Sequence, residues 1–504
     1  MPSSPLGATS RSSTSAAKLR QMSFWFAVVA GGCLFLADLD VTSLSPWMEL
    51  LRLGHGLLNP TIDSWQAVLV SATTTLSFAL QGVALAAVCG FCLALGYRHI
   101  AVRIFCAFIR SIHELFWALI FIQIFGLSSL TGLLAIAIPY AGTLAKIYGE
   151  LFEETDPAPR ENILKRHSLS AFFYTTLPQA WKPLKDYTSY RFECAIRSSI
   201  VLGFIGLPTL GFHLETALSE GYYNEAAALL YILFGLVVSL RWWLKRKLIP
   251  VYLLAAIFYL PPTASISWEN ISVFFGHDIV PKPLRDEFSI KALPMLADWF
   301  VELWNHQIYP GLVDTLVLGQ IALVATGLVT LICFPLNSSH FFRPMTRRLG
   351  DSILIISRST PEYLLAFIFL LLLGPSMLPA IIALAVHNGA IIAHLVGRYS
   401  ETLVLRDDVS KGMNRYAYEI LPRIYRQFLA FLFYRWEVIL RETAILGILG
   451  ITTLGFYIDS AFEEFRFDRA IVLILASALL NMCIDVFART IRQRLHLKTT
   501  PETI

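Results

Sequence analysis

Glu193 with Arg197, and Glu437 with Arg441, are the residues whose types and spacing bear most directly on chemistry. Each pair is four residues apart, so on a helix both side chains share a face, about 6 Å apart along the axis. All four lie in or against apolar runs, where an uncompensated charge costs several kcal/mol. Two readings follow. Either each pair neutralises itself and fixes packing, or the arginines border a polar pathway and offer planar, forked donors to an oxyanion. His387 and Asn388 are a second polar spot in an apolar run; they line such a pathway or tie two helices together by a hydrogen bond. Arg110 with Glu114, and Arg358 with Glu362, open apolar runs and read as anchors reaching from a helix end to water.

Other chemistry is missing. There is no G-x-x-x-x-G-K-[ST], so the chain has no P-loop for ATP. Neither H-E-x-x-H nor G-x-S-x-G occurs, so nothing points to an enzyme. The seven cysteines sit in or beside apolar runs and read as small core residues, and Cys89-Gly-Phe-Cys92 lacks the second pair that a metal site needs. Metal and redox roles are therefore not expected.

The elements that must position these residues are membrane helices. Of 504 residues 56% are hydrophobic and only 15% charged, against about 25% charged in soluble chains. A net charge of +4 leaves no basic field for nucleic acid. With a ruler of about 20 apolar residues per crossing, spans fall near 23–40, 67–96, 102–125, 130–147, 187–207, 223–243, 247–262, 312–335, 351–373, 377–396, 432–450 and 470–488. That predicts an all-α polytopic membrane protein of about twelve helices. The Ser/Thr-rich start followed by Phe24 to Ala37 reads as an uncleaved first helix. With the N-terminus inside, the inner segments collect 32 of the 40 Lys and Arg, which places both termini in the cytoplasm.

The chain repeats itself. Tyr190-Arg-Phe-Glu193-Cys-Ala-Ile-Arg197 matches Tyr434-Arg-Trp-Glu437-Val-Ile-Leu-Arg441 at an offset of 244, and Leu177-Pro178 maps onto Leu421-Pro422. Gly203 and Gly206 map onto Gly447 and Gly450, and Thr209-Leu210-Gly211 onto Thr453-Leu454-Gly455. Arg110-Ser-Ile-His-Glu114 maps onto Arg358-Ser-Thr-Pro-Glu362, and Thr75-Leu76 onto Thr315-Leu316. A tandem 6+6 repeat inserts both copies the same way up, as parallel repeats about an axis along the membrane normal. The organisation expected is a tail at 1–22, copies at 23–246 and 247–496, and a tail at 497–504.

These motifs together resemble the permease subunits of phosphonate ABC importers, within the binding-protein-dependent type I importer permeases. The resemblance covers 67–245 and 312–495, with Tyr190 to Gly206 its most specific stretch. It implies a permease of the bacterial inner membrane that moves a small phosphorus oxyanion. It also implies partners: a cytoplasmic ABC ATPase, in two copies, and an external solute-binding protein, besides membrane lipid. No cofactor is bound directly, since ATP is used by the partner ATPase. Family permeases carry a short cytoplasmic coupling helix before Leu-Pro. That assigns Asp156, Glu161 and Pro178 to ATPase coupling in one copy, and Asp408, Gly412 and Pro422 in the other. The second loop is shorter, 21 positions from Glu401 to Pro422 against 28 from Glu150 to Pro178. The alternative is a secondary transporter of the 6+6 parallel-repeat type; two long inner loops ending in Leu-Pro favour the ATPase-driven reading.

Overall fold

The structure is a computed structural model that describes residues 6–42, 45–162, 169–262, 266–285, 292–406, 412–495 and 497. Every regular element among them is helical. Six helices are long and apolar enough to cross a membrane, and up to ten spans result if each of four bent pairs counts as one. The expectation of about twelve is therefore met only in its class, a multi-pass helical membrane protein. Apolar side chains such as Val88 and Ile332 stand exposed on these helices, as lipid contact allows and as water would penalise.

The chain packs as two compact units, one of residues 50–287 and the other of 1–49 with 288–504. These units group the chain differently from the sequence copies. Residues 23–49 pack with the second copy, and 247–262 with the first.

In the 50–287 unit, Trp65–Leu95 lies along Ser129–Glu153. Gly82 and Gly90 let the two approach: a Cβ at Gly82 would meet Ile136 Cγ2 at 2.8 Å, and one at Gly90 would meet Leu144 Cβ at 2.9 Å. Small residues at membrane helix contacts serve this purpose. Both helices start on a serine cap, Ser64 Oγ accepting from Ala67 N and Ser128 Oγ from Thr131 N. Ile249–Phe258 packs against Trp65–Leu95, with Gln81 Nε2 donating to Leu253 O. Its 10 residues extend about 15 Å, half a bilayer core.

The other unit pairs Tyr309–Cys333 with Met377–Glu401, and places Leu6–Cys33 beside Tyr309–Cys333. Gln320 Nε2 donates to Phe26 O at 3.1 Å, and Phe26 meets the rings of Phe433 and Trp436 at 5.1 Å each.

The spans read at 102–125 and 351–373 are not straight helices. Ile100–Ser111 and Glu114–Phe125 meet at 87°, and Pro344–Ser359 and Glu362–Leu373 at 92°. The 12-residue pieces that follow each bend extend about 18 Å, too short to cross alone. Extended backbone at Ile112 and His113, and at Thr360 before Pro361, makes the corners. Hydropathy averages over such breaks, which explains the misreading. The cysteine reading also needs correction: Cys106 and Cys194 are buried, but Cys89, Cys92 and Cys483 are exposed on membrane helices. A small apolar thiol facing lipid needs no protein burial.

Candidate functional site

Each unit contains a second broken helix. Leu177–Val201 gives way to a 3-10 turn, Leu202–Ile205, and resumes as Leu210–Ser219 bent by 55°. In the other unit the bend between 415–449 and Leu454–Glu463 is 44°. The turn residues Gly206 and Gly450 have φ of +91° and +81°, a region that side chains strain. The tighter constraint is at Gly211 and Gly455. A Cβ at Gly211 would fall 1.9 Å from Ile200 O, and one at Gly455 1.8 Å from Ala444 O. The helix end and its resumption therefore touch backbone to backbone. The repeated threonines complete the joint: Thr75 Oγ1 accepts from Leu210 N at 2.9 Å, and Thr315 Oγ1 from Leu454 N at 3.0 Å. Each satisfies an N–H that the break leaves without a helical partner. Broken helices of this kind occur at membrane depth where backbone is buried in protein or lines a polar cavity.

Against each break lies a buried polar group set on the corner of the other bent pair. In the 50–287 unit, Ser198 Oγ donates to Glu114 Oε1 at 2.7 Å. Because a serine has one hydrogen, the 3.0 Å contact with Tyr140 runs from the phenol to Ser198 Oγ. The result is a directed chain, Tyr140 to Ser198 to Glu114. In the other unit, Asn388 Nδ2 donates to Glu442 Oε2 at 2.7 Å and to Leu384 O at 3.2 Å. His387 Nδ1 donates to Thr360 O at 2.8 Å, and its Nε2 lies 3.7 Å from Glu362 Oε2.

Glu114 and Glu362 are thus not helix-end anchors. Both sit at a corner inside a unit, and Arg110 beside the first is buried. Ser198, Tyr140 and Glu442 did not stand out in the sequence. Aligning the repeats would have found them, since Ser198 maps onto Glu442 and Tyr140 onto Asn388.

His387 and Asn388 are fully buried and belong to this group. Glu193, Arg197, Glu437 and Arg441 are half-buried on the helices before the breaks. Arg197 Nη2 reaches Cys194 Sγ at 3.7 Å, and Glu437 acts electrostatically on Arg492.

The coupling candidates lie elsewhere. Asp156 is exposed; its Oδ1 accepts from Ala158 N at 3.0 Å, starting the four-residue helix Ala158–Glu161 that ends on exposed Glu161. Asp156 N donates to Gln179 Oε1 at 3.2 Å, which ties this turn to the residue after Pro178. Pro178 and Pro422 both occupy the second position of their helix, directly after a π-helical turn at Phe172–Thr176 or Arg415–Ile420. A proline lacks the N–H for the helical ladder and crowds the carbonyl four residues back, and the wider turn accommodates both. Gly412 has φ +78°, while Asp408 lies outside the described residues.

A family model described as binding-protein-dependent transport system inner membrane component matches residues 332–497. The phosphate-import permease protein PhnE of Mycolicibacterium smegmatis is 24% identical over 89% of this chain and 89% of its own. The phosphite transport system permease protein PtxC of Stutzerimonas stutzeri is 27% identical over 44% of this chain and 84% of its own. A protein of Escherichia coli named as a cryptic phosphonate transport system permease, PhnE2, is 33% identical over 23% of this chain and 96% of its own. No solved structure matches the chain.

Proposed function

The chain belongs to the family of binding-protein-dependent inner-membrane permeases, and on that premise we propose that it is the permease subunit of an ABC importer for a small phosphorus oxyanion. Phosphate, phosphite and phosphonate are the substrate class named for its relatives. The observation that carries the reading is the pattern of coverage. One relative is matched over 89% of both chains, whereas another is matched over 84% of its length by 44% of this chain. A double-length permease accounts for that pattern and for the recurrence of the Thr–Gly joint in both units; six spans in each copy and cytoplasmic termini are part of the proposal on the hydropathy and charge pattern of the sequence.

In this reading Arg197 and Arg441 present forked donors to the oxyanion, with Glu193 and Glu437 limiting their field so that the solute is released. His387 and Asn388 belong to the pathway of their own half. The turn at Asp156 to Glu161 and the segment at Asp408 to Gly412, each leading to Leu-Pro, receive the two copies of a cytoplasmic ATPase. An external solute-binding protein delivers the substrate. The permease carries out no catalysis and binds no ATP itself.

The test is growth. A strain deprived of its own phosphate, phosphite and phosphonate importers receives this chain with an ABC ATPase and a solute-binding protein of the same importer class. Growth is expected on at least one of the three as sole phosphorus source, and only with a hydrolysis-competent ATPase. Equal growth with an ATPase that cannot hydrolyse ATP contradicts the proposal.

A further inference from the structure

Glu362, His387 and Glu442 each bring one ligand atom to a common point, all within 4.8 Å of one another. His387 and Glu442 are buried, and Glu362 is nearly so, its side chain 13% exposed. Three features of this cluster go beyond carboxylates gathered by chance.

The first is the histidine tautomer. A carbonyl oxygen only accepts, so the Nδ1 contact with Thr360 O places the ring proton on Nδ1. In the neutral ring Nε2 then carries a lone pair, and it is this atom that lies 3.7 Å from Glu362 Oε2. A histidine that donates one N–H to a backbone carbonyl and offers the other nitrogen is the usual arrangement of a metal ligand. Ligand atoms around a tetrahedral ion at about 2.1 Å stand about 3.4 Å apart, close to that separation.

The second is the amide of Asn388. It is 0% exposed, and its two N–H groups are spent on Leu384 O and Glu442 Oε2. Its Oδ1 has no hydrogen-bond partner. A buried amide oxygen without a donor costs about 1–3 kcal/mol, and this one belongs to a group in direct contact with Glu442. A cation bound beside Glu442 and within reach of this oxygen would give it a partner.

The third is the other unit. The repeat places Pro139, Tyr140 and Ser198 where His387, Asn388 and Glu442 stand. There the single Glu114 is satisfied by a serine and tyrosine chain. The broken-helix architecture therefore forms without a second carboxylate, and its own histidine, His113, has the opposite tautomer: Nδ1 accepts from Leu115 N, so in the neutral ring Nε2 turns a proton, not a lone pair, towards Glu114 Oε2 at 3.8 Å.

We propose that Glu362, His387 and Glu442, with the Asn388 amide oxygen, hold a divalent first-row transition metal ion, Zn²⁺ or Mn²⁺, in the second half only. One imidazole with two carboxylates and an amide oxygen suits these borderline to hard ions over thiophilic ones. The ion links three helices, Glu362–Leu373, Met377–Glu401 and Leu421–Leu446, and offsets the charge of two buried carboxylates. This proposal stands apart from the identity of the transported solute.

The test uses the full chain in detergent, stripped with chelator and titrated with Zn²⁺. The expected result is about one equivalent per chain by elemental mass spectrometry, with a rise in Tm on binding. His387→Gln and Glu442→Gln, near-isosteric, should weaken binding at least about 100-fold, the loss of one ligand in a buried site being about 2.7 kcal/mol or more. Uptake well below one equivalent in the folded wild type overturns the site, and so does unchanged uptake in either folded variant. Should both variants misfold, zinc-edge X-ray absorption decides on a chain carrying His113→Gln and His394→Gln, which removes the other two contacts of a buried histidine with a carboxylate among the described residues, His113 with Glu114 and His394 with Asp351. One imidazole with oxygen ligands supports the assignment. Two or more imidazoles, a thiolate, or no bound zinc overturns it.

Discussion

The two units build the same joint from the same atoms and then furnish it differently. The threonine-to-amide bond of the break is 2.9 Å in one and 3.0 Å in the other. The backbone approach at the second glycine differs as little. A few residues away, one unit closes its polar core with Tyr140, Ser198 and Glu114. The other uses His387, Asn388, Glu362 and Glu442. Backbone geometry at a break tolerates almost no change, because the contacts are between main chains. The polar core tolerates different sets of side chains, so duplicated halves can diverge in chemistry while the break stays fixed.

If the break is the shared constraint, the largest effect should come from Gly211→Ala or Gly455→Ala. Their Cβ atoms would sit under 2 Å from a carbonyl oxygen that cannot move without shifting its helix. We expect each to cost about 3 kcal/mol or more, at or beyond the upper end of overpacking, and to remove most folded protein on size-exclusion chromatography. A Gly455→Ala chain with wild-type yield and Tm would break the comparison at its firmest point.

The polar cores should separate the halves. Glu442→Ala removes one acceptor of the Asn388 amide and one of two neighbouring carboxylates, whereas Ser198→Ala removes a donor to Glu114 and the acceptor of Tyr140 together. Each should cost about 1–3 kcal/mol. Transferring the first half's residues together, Asn388→Tyr with Glu442→Ser, should restore more stability than the two single changes predict when added. Simple additivity of the two would show that the sets are not coupled units.

Next in size, Thr75→Val and Thr315→Val leave one buried N–H without its acceptor, worth about 1–2 kcal/mol. Because the two bonds match, the two losses in thermal stability should match as well. A loss confined to one of them would mean that the joint is not doing the same job in both halves.

The smallest stability effect is expected at Glu161→Lys, which is exposed and should leave Tm within error. Paired with Asp408→Lys, it should still reduce copurification of the ATPase. Unchanged association and transport would remove these segments from the docking surface.

The parts legible in the sequence were those that repetition or hydropathy records. Apolar runs gave the class, and recurrence of Thr75 at Thr315 and of Gly211 at Gly455 recorded the repeat, though not that these residues meet at a broken helix. The corners after Ser111 and Ser359 were hidden, since a two-residue break inside an apolar run leaves the average hydropathy unchanged. Glu114 and Glu362 were placed at helix ends correctly, but those ends face inward. Ser198 and Glu442 went unnoticed because a repeat is read by identity, and here only the position recurs. The packing of Leu6–Cys33 with residues of the second copy lay out of reach, because no local pattern in an apolar helix names its neighbour.

The central claim is transport of phosphorus oxyanions, and competition in proteoliposomes tests it most directly. The chain, its ATPase and its binding protein are reconstituted, and ATP-driven uptake of labelled phosphate, phosphite and methylphosphonate is measured against excess of each and of sulfate. The account predicts ATP-dependent uptake of at least one of the three, inhibited by unlabelled phosphorus oxyanion and indifferent to sulfate. No ATP-dependent uptake of any of the three by the assembled complex, or uptake that sulfate abolishes, would contradict it.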